Sequence, residues 1–226
     1  PESSLAKMIA GWEENLPLEI KLAYLPDPLT GVKLRLSKYG GNINDSKKAI
    51  NEHFAALKEM LGNAVYGEDN ENLESVIFRF LKSKSATLST AESCTGGKIA
   101  SMITSVPGSS SIFAGGIIAY SNEVKIKTLG VDPAILAESG AVSEECVRAM
   151  AQGAREIFNT TYAVATSGIA GPDGGSVEKP SGTVWIAVAG PDFTVAKKAV
   201  FNGDRLRNID RFSSETLNFL RLNLGI

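Results

Sequence analysis

Histidine and cysteine are scarce in this chain of 226 residues, which contains one histidine and two cysteines. The histidine, His53, lies beside the apolar stripe of a helix predicted near the N-terminus, so the C-terminal part of the chain cannot contain a Ser-His-Asp triad. A zinc site of imidazoles and thiolates is excluded for the same reason. Only a hard cation held by carboxylates such as Glu92, Asp173 or Asp204 would suit the residues, and we predict neither a metal nor another cofactor.

Long apolar runs and an excess of one charge are also absent. No run approaches the roughly 20 residues that cross a bilayer, and no secretory signal opens the chain. The 23 basic and 25 acidic residues leave no basic field that would attract a nucleic-acid backbone. We therefore expect a cytoplasmic protein with reduced thiols and with neither membrane nor nucleic acid as a partner. Because the chain starts at Pro1, without an initiator Met, we expect it to be part of a longer protein.

The first 66 residues contain the patterns of a small α+β domain. Apolar residues at helical spacing predict a helix over about 45–61, and a second helix is expected over 3–14. Residues 20–26 and 32–38 read as two strands joined by the turn-forming residues 27–31. A polar stretch over 67–72 then predicts a domain boundary.

From about residue 70, helical and strand patterns indicate an α/β domain that extends to residue 226. A long helix is predicted from Ser143, its N-cap, to about Asn159, and another begins near Arg205. The predicted strands are 86–90, a short apolar strand that starts at Gly115, 162–167, 183–189 and 193–201.

The motif from Thr90 to Gly97 follows a predicted strand and opens a helix. Free backbone N–H groups at such a junction favour a phosphate or a developing oxyanion, and Ser93 is well placed as a nucleophile. The alternative is that the hydroxyls cap the helix and the glycines tighten the turn. Cys94 has no histidine or lysine nearby in sequence to lower its pKa, so we expect a buried, inert thiol.

Two further motifs contain candidate site residues. Tyr120 is expected where a strand ends. A nearby Lys125 could stabilise the Tyr120 phenolate, which could then take the proton of Ser93. The alternative is that Tyr120 is an ordinary aromatic residue at a strand end and Lys125 is a solvated helix residue. The long Gly/Pro-rich motif over 166–182 could cradle a phosphate, or be a flexible hairpin loop. Arg205 suits a phosphate clamp or a surface ion pair.

Six motifs, in order, resemble the CinA C-terminal domain family: TAESCTGG, YSNEVK, GAVSEE, SGIAGPDGG, KPSGTVWIAV and NGDR. The enzymatic members of that family are nicotinamide-mononucleotide (NMN) deamidases. The resemblance implies a three-layer-like α/β amidohydrolase domain over 70–226, preceded by a KH-type linker domain over 1–66. It also implies that a molybdopterin-binding-like domain comes before both, and that the protein is a homo-oligomer.

For the reaction, the resemblance implies a serine amidohydrolase acting on NMN or a related pyridine nucleotide, with Ser93 assisted by Tyr120 and Lys125. We expect backbone N–H groups of Thr95–Gly97 to hold the oxyanion. The complete set expected to bind substrate is Glu92, Thr95, Gly96, Gly97, Asn122, Ser167, Gly168, Gly171 and Arg205. The main alternative is a non-catalytic nucleotide-binding or interaction module of a competence- or DNA-damage-related protein.

Overall fold

A computed structural model of the chain describes residues 2–27 and 31–226. The described residues form two compact units, one ending at Gly67 and the other extending from Glu68 to Ile226. Within these residues, no helix combines the length and apolarity needed to cross a membrane.

The first unit is a two-stranded hairpin with two helices. Its elements are α1 (Glu2–Glu14), β1 (Ile20–Asp27), β2 (Gly31–Lys38) and α2 (Ile43–Leu61). The strands pair antiparallel, with Leu22 opposite Leu36, and their apolar side chains pack with Ile9, Trp12 and Leu57 of the helices. The predicted helices and hairpin are therefore confirmed. The predicted turn over 27–31 includes residues 28–30, which lie outside the described residues.

The second unit contains the rest of the regular structure. Its elements are α3 (Leu73–Ser83), β3 (Leu88–Glu92), α4 (Lys98–Thr104), β4 (Phe113–Ile118), α5 (Asn122–Lys127), α6 (Pro133–Glu138), α7 (Glu144–Phe158), β5 (Tyr162–Gly168), β6 (Thr183–Ala189), β7 (Thr194–Val200) and α8 (Arg205–Asn223). The α/β class is confirmed, as are the N-cap of α7 at Ser143 and its predicted end near Asn159, which is the C-cap. The short helix α6 was not predicted.

The first strand of this unit starts two residues later than the predicted strand over 86–90. Ser85 is left-handed, with φ of 50°, and the N–H of Ala86 donates to the carbonyl of Leu81. Both residues therefore belong to the turn that ends α3. The consequence is that Glu92 is the last strand residue and Ser93 comes directly after the strand.

The five strands form one sheet in the order β4-β3-β5-β6-β7, parallel among the first three and antiparallel from β5 to β7. Alternation along β6 places Ala187 and Ala189 against α7, and Val184 and Ile186 against Phe212 of α8. Helices α3 and α4 pack with α8 on that second side. The unit thus has three layers, as predicted.

Helix α7 approaches the chain before α6 very closely. A Cβ atom built on Gly153 would lie 2.0 Å from the carbonyl oxygen of Leu129, a backbone atom that cannot move aside alone. The absence of a side chain at Gly153 is therefore what permits α7 to lie at this depth on the sheet.

We expect Gly153→Ala to lower the free energy of unfolding by about 2–3 kcal/mol, since overpacking outweighs the better helix propensity of alanine. The same change at Gly11 of α1, where a Cβ would meet nothing within 4 Å, is the control and should cost nothing. Urea unfolding of both variants gives the comparison. An unchanged free energy for Gly153→Ala would contradict the packing described here.

Candidate active site

The candidate site lies at the edge of the sheet where β3 and β4 end. These neighbouring strands are parallel, so the residues after Glu92 and after Ile118 come out side by side. The N–H of Ala119 donates to the carbonyl of Glu92 at 2.8 Å, and that of Ser93 to the carbonyl of Thr166 on β5 at 3.0 Å. Three strand ends therefore hold Ser93 in place.

The central contact joins Lys125 to Ser93. The Lys125 Nζ lies 3.2 Å from the Ser93 Oγ and donates to the carbonyl oxygens of Ala119, at 2.8 Å, and Tyr120, at 3.4 Å. Lys125 is 1% exposed and Ser93 is 8% exposed. Burial lowers the pKa of the Lys125 amine, and among the described residues no carboxylate forms an ion pair with it. The site thus holds a buried amine, with a pKa lowered by burial, beside a serine hydroxyl.

The two cysteines are free and buried near this lysine, as expected of inert thiols. Burial raises the pKa of the Cys94 thiol to about 12, and burial also raises the pKa of Cys146. A thiol with so high a pKa carries almost no thiolate at neutral pH. Burial therefore disfavours the thiolate form of Cys94.

Glu92, which was predicted to bind substrate, faces the protein interior. Its Oε2 accepts hydrogen bonds from the N–H groups of Gly97 and Ile99 at 3.0 and 3.1 Å, and its Oε1 from that of Ala100 at 2.8 Å. The side chain is 1% exposed. Its carboxylate caps the start of α4, an orientation that its position at a strand end could not reveal.

The turn after β3 retains two backbone donors. The N–H of Gly96 donates to the Ser93 carbonyl and that of Gly97 to Glu92, whereas the N–H groups of Cys94 and Thr95 have no oxygen acceptor among the described residues. Of the predicted oxyanion donors over 95–97, the N–H groups of Gly96 and Gly97 thus already have acceptors within the protein, whereas that of Thr95 has no oxygen acceptor in the described part of the chain.

The side chain of Thr95 is also turned inward. Its hydroxyl lies 2.8 Å from that of Thr166, and both residues are buried. Thr166 thus supports the turn through its hydroxyl as well as through its carbonyl. Thr166 was not among the residues predicted for the site, although it stands directly before the SGIAGP motif.

Tyr120 is not in the relay that was predicted for it. Its hydroxyl accepts a hydrogen bond from Arg205 Nη2 at 3.0 Å, and Lys125 contacts only its backbone carbonyl. Arg205 also donates through Nη1 to the carbonyl of Gly171 at 2.9 Å. The structure therefore separates the predicted trio into a Ser93–Lys125 pair and a Tyr120–Arg205–Gly171 bridge.

The remaining predicted residues have varied surroundings. Asn122 is exposed at the start of α5, and Gly168 ends β5. Ser167 is 1% exposed and donates to the carbonyl of Ala141 at 2.6 Å, which is a structural contact. Asn208, which the sequence analysis did not single out, is buried and donates to the carbonyls of Ala170 and Gly203, so it ties the long loop to α8.

No cluster of three or more His, Cys, Asp or Glu residues that could hold a metal ion occurs in 2–27 or 31–226.

Comparison with known proteins identifies the relatives of the chain. Residues 70–224 match the family model described as the CinA C-terminal domain. The chain belongs to the CinA family. A CinA-like protein of Amoebophilus asiaticus is 43% identical over 223 residues, 99% of this chain and 53% of the relative, and one of Chloroherpeton thalassium is 44% identical over 224 residues. The chain thus spans about half the length of the curated CinA relatives that it matches.

Solved structures of the CinA superfamily have the same fold. Competence damage-inducible protein A (ComA) of Klebsiella pneumoniae is 34% identical with a TM-score of 0.66, covering 68% of this chain and 95% of that one. The competence/damage inducible protein CihA of Agrobacterium tumefaciens is 34% identical with a TM-score of 0.67, covering 72% and 99%.

Proposed function

We propose that this CinA-family chain hydrolyses the carboxamide of NMN to nicotinate mononucleotide and ammonia, with Ser93 as nucleophile and Lys125 as general base. The observation that carries the proposal is the 3.2 Å contact between the Ser93 Oγ and the buried amine of Lys125. A neutral lysine can activate a serine without histidine, which this unit of the chain lacks. The substrate is taken from the family, whose enzymatic members are NMN deamidases.

In the first half of the reaction, neutral Lys125 accepts the hydroxyl proton while the Ser93 Oγ attacks the carboxamide carbon. The N–H groups of Cys94 and Thr95 stabilise the oxyanion that forms. Lys125 then returns the proton to the departing nitrogen and the C–N bond breaks. Ammonia departs, and the acyl group remains bound to the Ser93 Oγ as an ester.

In the second half, a water molecule loses a proton to Lys125 and attacks the ester carbon. The C–Oγ bond breaks as Lys125 returns the proton to the Ser93 Oγ, and the carboxylic acid product departs and loses its remaining proton to water. No redox cofactor is needed, because both half-reactions transfer an acyl group.

Arg205 is the residue we assign to the phosphate of the substrate. Its guanidinium donates to two uncharged acceptors, the Tyr120 hydroxyl and the Gly171 carbonyl, and no carboxylate pairs with it among the described residues. Its charge is therefore available to an anion, which would form stronger hydrogen bonds than those acceptors do. The start of α4 is a poorer phosphate site, because Glu92 already accepts its N–H groups.

We expect Ser93→Ala and Lys125→Arg each to lower the rate of ammonia release from NMN by at least about 1,000-fold. The first removes the nucleophile; the second keeps a cation that cannot give up its proton at neutral pH. Ser101→Ala, on the exposed side of α4, is the matched control and should retain full activity. The assay monitors ammonia with and without a chelator.

Retained turnover in Ser93→Ala would contradict the nucleophile assignment, and loss of turnover with the chelator would indicate a metal enzyme. Wild-type protein that binds NMN without releasing ammonia would favour the non-catalytic nucleotide-binding module.

We expect Arg205→Gln to raise KM for NMN by about 10–100-fold. This corresponds to the loss of one hydrogen bond to a charged group, which contributes about 1.5–3 kcal/mol of binding free energy. Nicotinamide riboside, which lacks the phosphate, is the matched substrate, and its kcat/KM should change little. Equal losses for both substrates would show that Arg205 serves the reaction in some other way than by binding phosphate.

A further inference from the structure

The turn that carries Ser93 is closed by one side chain. The backbone leaves β3 at Glu92, and five residues later the N–H of Gly97 returns to the carboxylate of that same residue. The N–H groups of Ile99 and Ala100 converge on the same carboxylate. Ser93 is thus held between the backbone of Glu92 and its side chain.

Helix α4 depends on this carboxylate because it has no cap of its own. Its N-cap residue, Gly97, has no side chain to offer and is left-handed, with φ of 96°. A Cβ at that position would also lie 3.2 Å from the Cδ1 of Ile118. The oxygen that a Ser, Thr or Asp usually supplies at an N-cap comes here from Glu92.

The hydrogen bonds of this carboxylate also determine which amides remain for chemistry. It uses the N–H groups at 97, 99 and 100, while Ser93 donates to Thr166 and Gly96 to Ser93. The donors at 94 and 95 remain, next to the nucleophile. A displaced carboxylate would release the amides at 97, 99 and 100 and would loosen both Ser93 and its two neighbours.

We propose that Glu92 is a positioning residue of the reaction, which holds the turn 93–97 so that the Ser93 Oγ stays within reach of the Lys125 amine. The inference rests on the proposed role of Ser93 but not on the identity of the substrate. Glu92 touches neither the substrate nor the reacting atoms in this account; it acts through the turn.

The test measures how fast the intact chain reacts with a fluorophosphonate, a probe that forms a bond from a serine Oγ to phosphorus and releases fluoride. Mass spectrometry follows labelling of Ser93 in the wild type and in Glu92→Gln, with Ser93→Ala as the blank. Glu138→Gln, the same change at an exposed glutamate of α6, is the matched control. The amide of glutamine places N–H donors against N–H donors, so we expect labelling to slow by at least about tenfold. Glu138→Gln should label at the wild-type rate.

A second readout separates positioning from general stability. In a Lys125→Arg background, Glu92→Gln should change the residual labelling by less than about twofold, because its effect passes through the Ser93–Lys125 pair. Equal effects in both backgrounds, or a wild-type labelling rate in Glu92→Gln, would overturn the inference. If Glu92→Gln does not fold, Glu92→Asp replaces it: its shorter carboxylate cannot reach all three amides, so slower labelling supports the inference and unchanged labelling overturns it.

The outcomes also distinguish this inference from the proposed function. If the wild-type chain is labelled at Ser93 but does not hydrolyse NMN, the proposed substrate is wrong and the proposed role of Glu92 is unaffected. If the wild-type chain is not labelled, the assignment of Ser93 as the nucleophile is wrong, and the proposed role of Glu92 is overturned with it.

Discussion

The burial of the Lys125 amine, with no carboxylate paired to it in the described part of the chain, is the constraint on which the rest of the site depends. An amine at 1% exposure loses its hydration, and two backbone carbonyls and one hydroxyl are the partners that replace water. Those carbonyls belong to Ala119 and Tyr120, the residues between β4 and α5, while the hydroxyl follows β3. The parallel pairing of β3 with β4 is therefore what brings the acceptors and the nucleophile to one amine.

Elements with a local cause could be predicted from the sequence. The hairpin and helices of the first unit follow from apolar periodicity, and α7 follows from its caps at Ser143 and Asn159. The start of β3 could not be predicted to the residue, because the end of α3 depends on a backbone hydrogen bond from Ala86 to Leu81. Helix α6, with Pro133 at its first position, is too short to show an apolar period.

The site residues could be named from the sequence, but their partners could not. Ser93, Tyr120 and Lys125 were expected to form a relay, and spacing along the chain does not say which oxygen a lysine amine will meet. In the structure, the Lys125 amine contacts the hydroxyl of Ser93 but only the backbone carbonyl of Tyr120. The phenol of Tyr120 instead contacts Arg205, which lies 85 residues away in the sequence. The partners of Glu92 could not be foreseen for the same reason, since the N–H groups that donate to its carboxylate belong to the N-cap and the first residues of a helix that begins only after the turn.

The protonation state of Lys125 is the most direct test of the account, because only a neutral amine can take the proton of Ser93. An NMR titration of the Nζ signal, assigned by its absence in Lys125→Arg, measures that pKa in the folded chain. We predict a value below the ordinary 10.5 of lysine, since burial disfavours the ammonium. A pKa at or above 10.5 would contradict the account, because the lysine would then remain a cation that can only donate to Ser93.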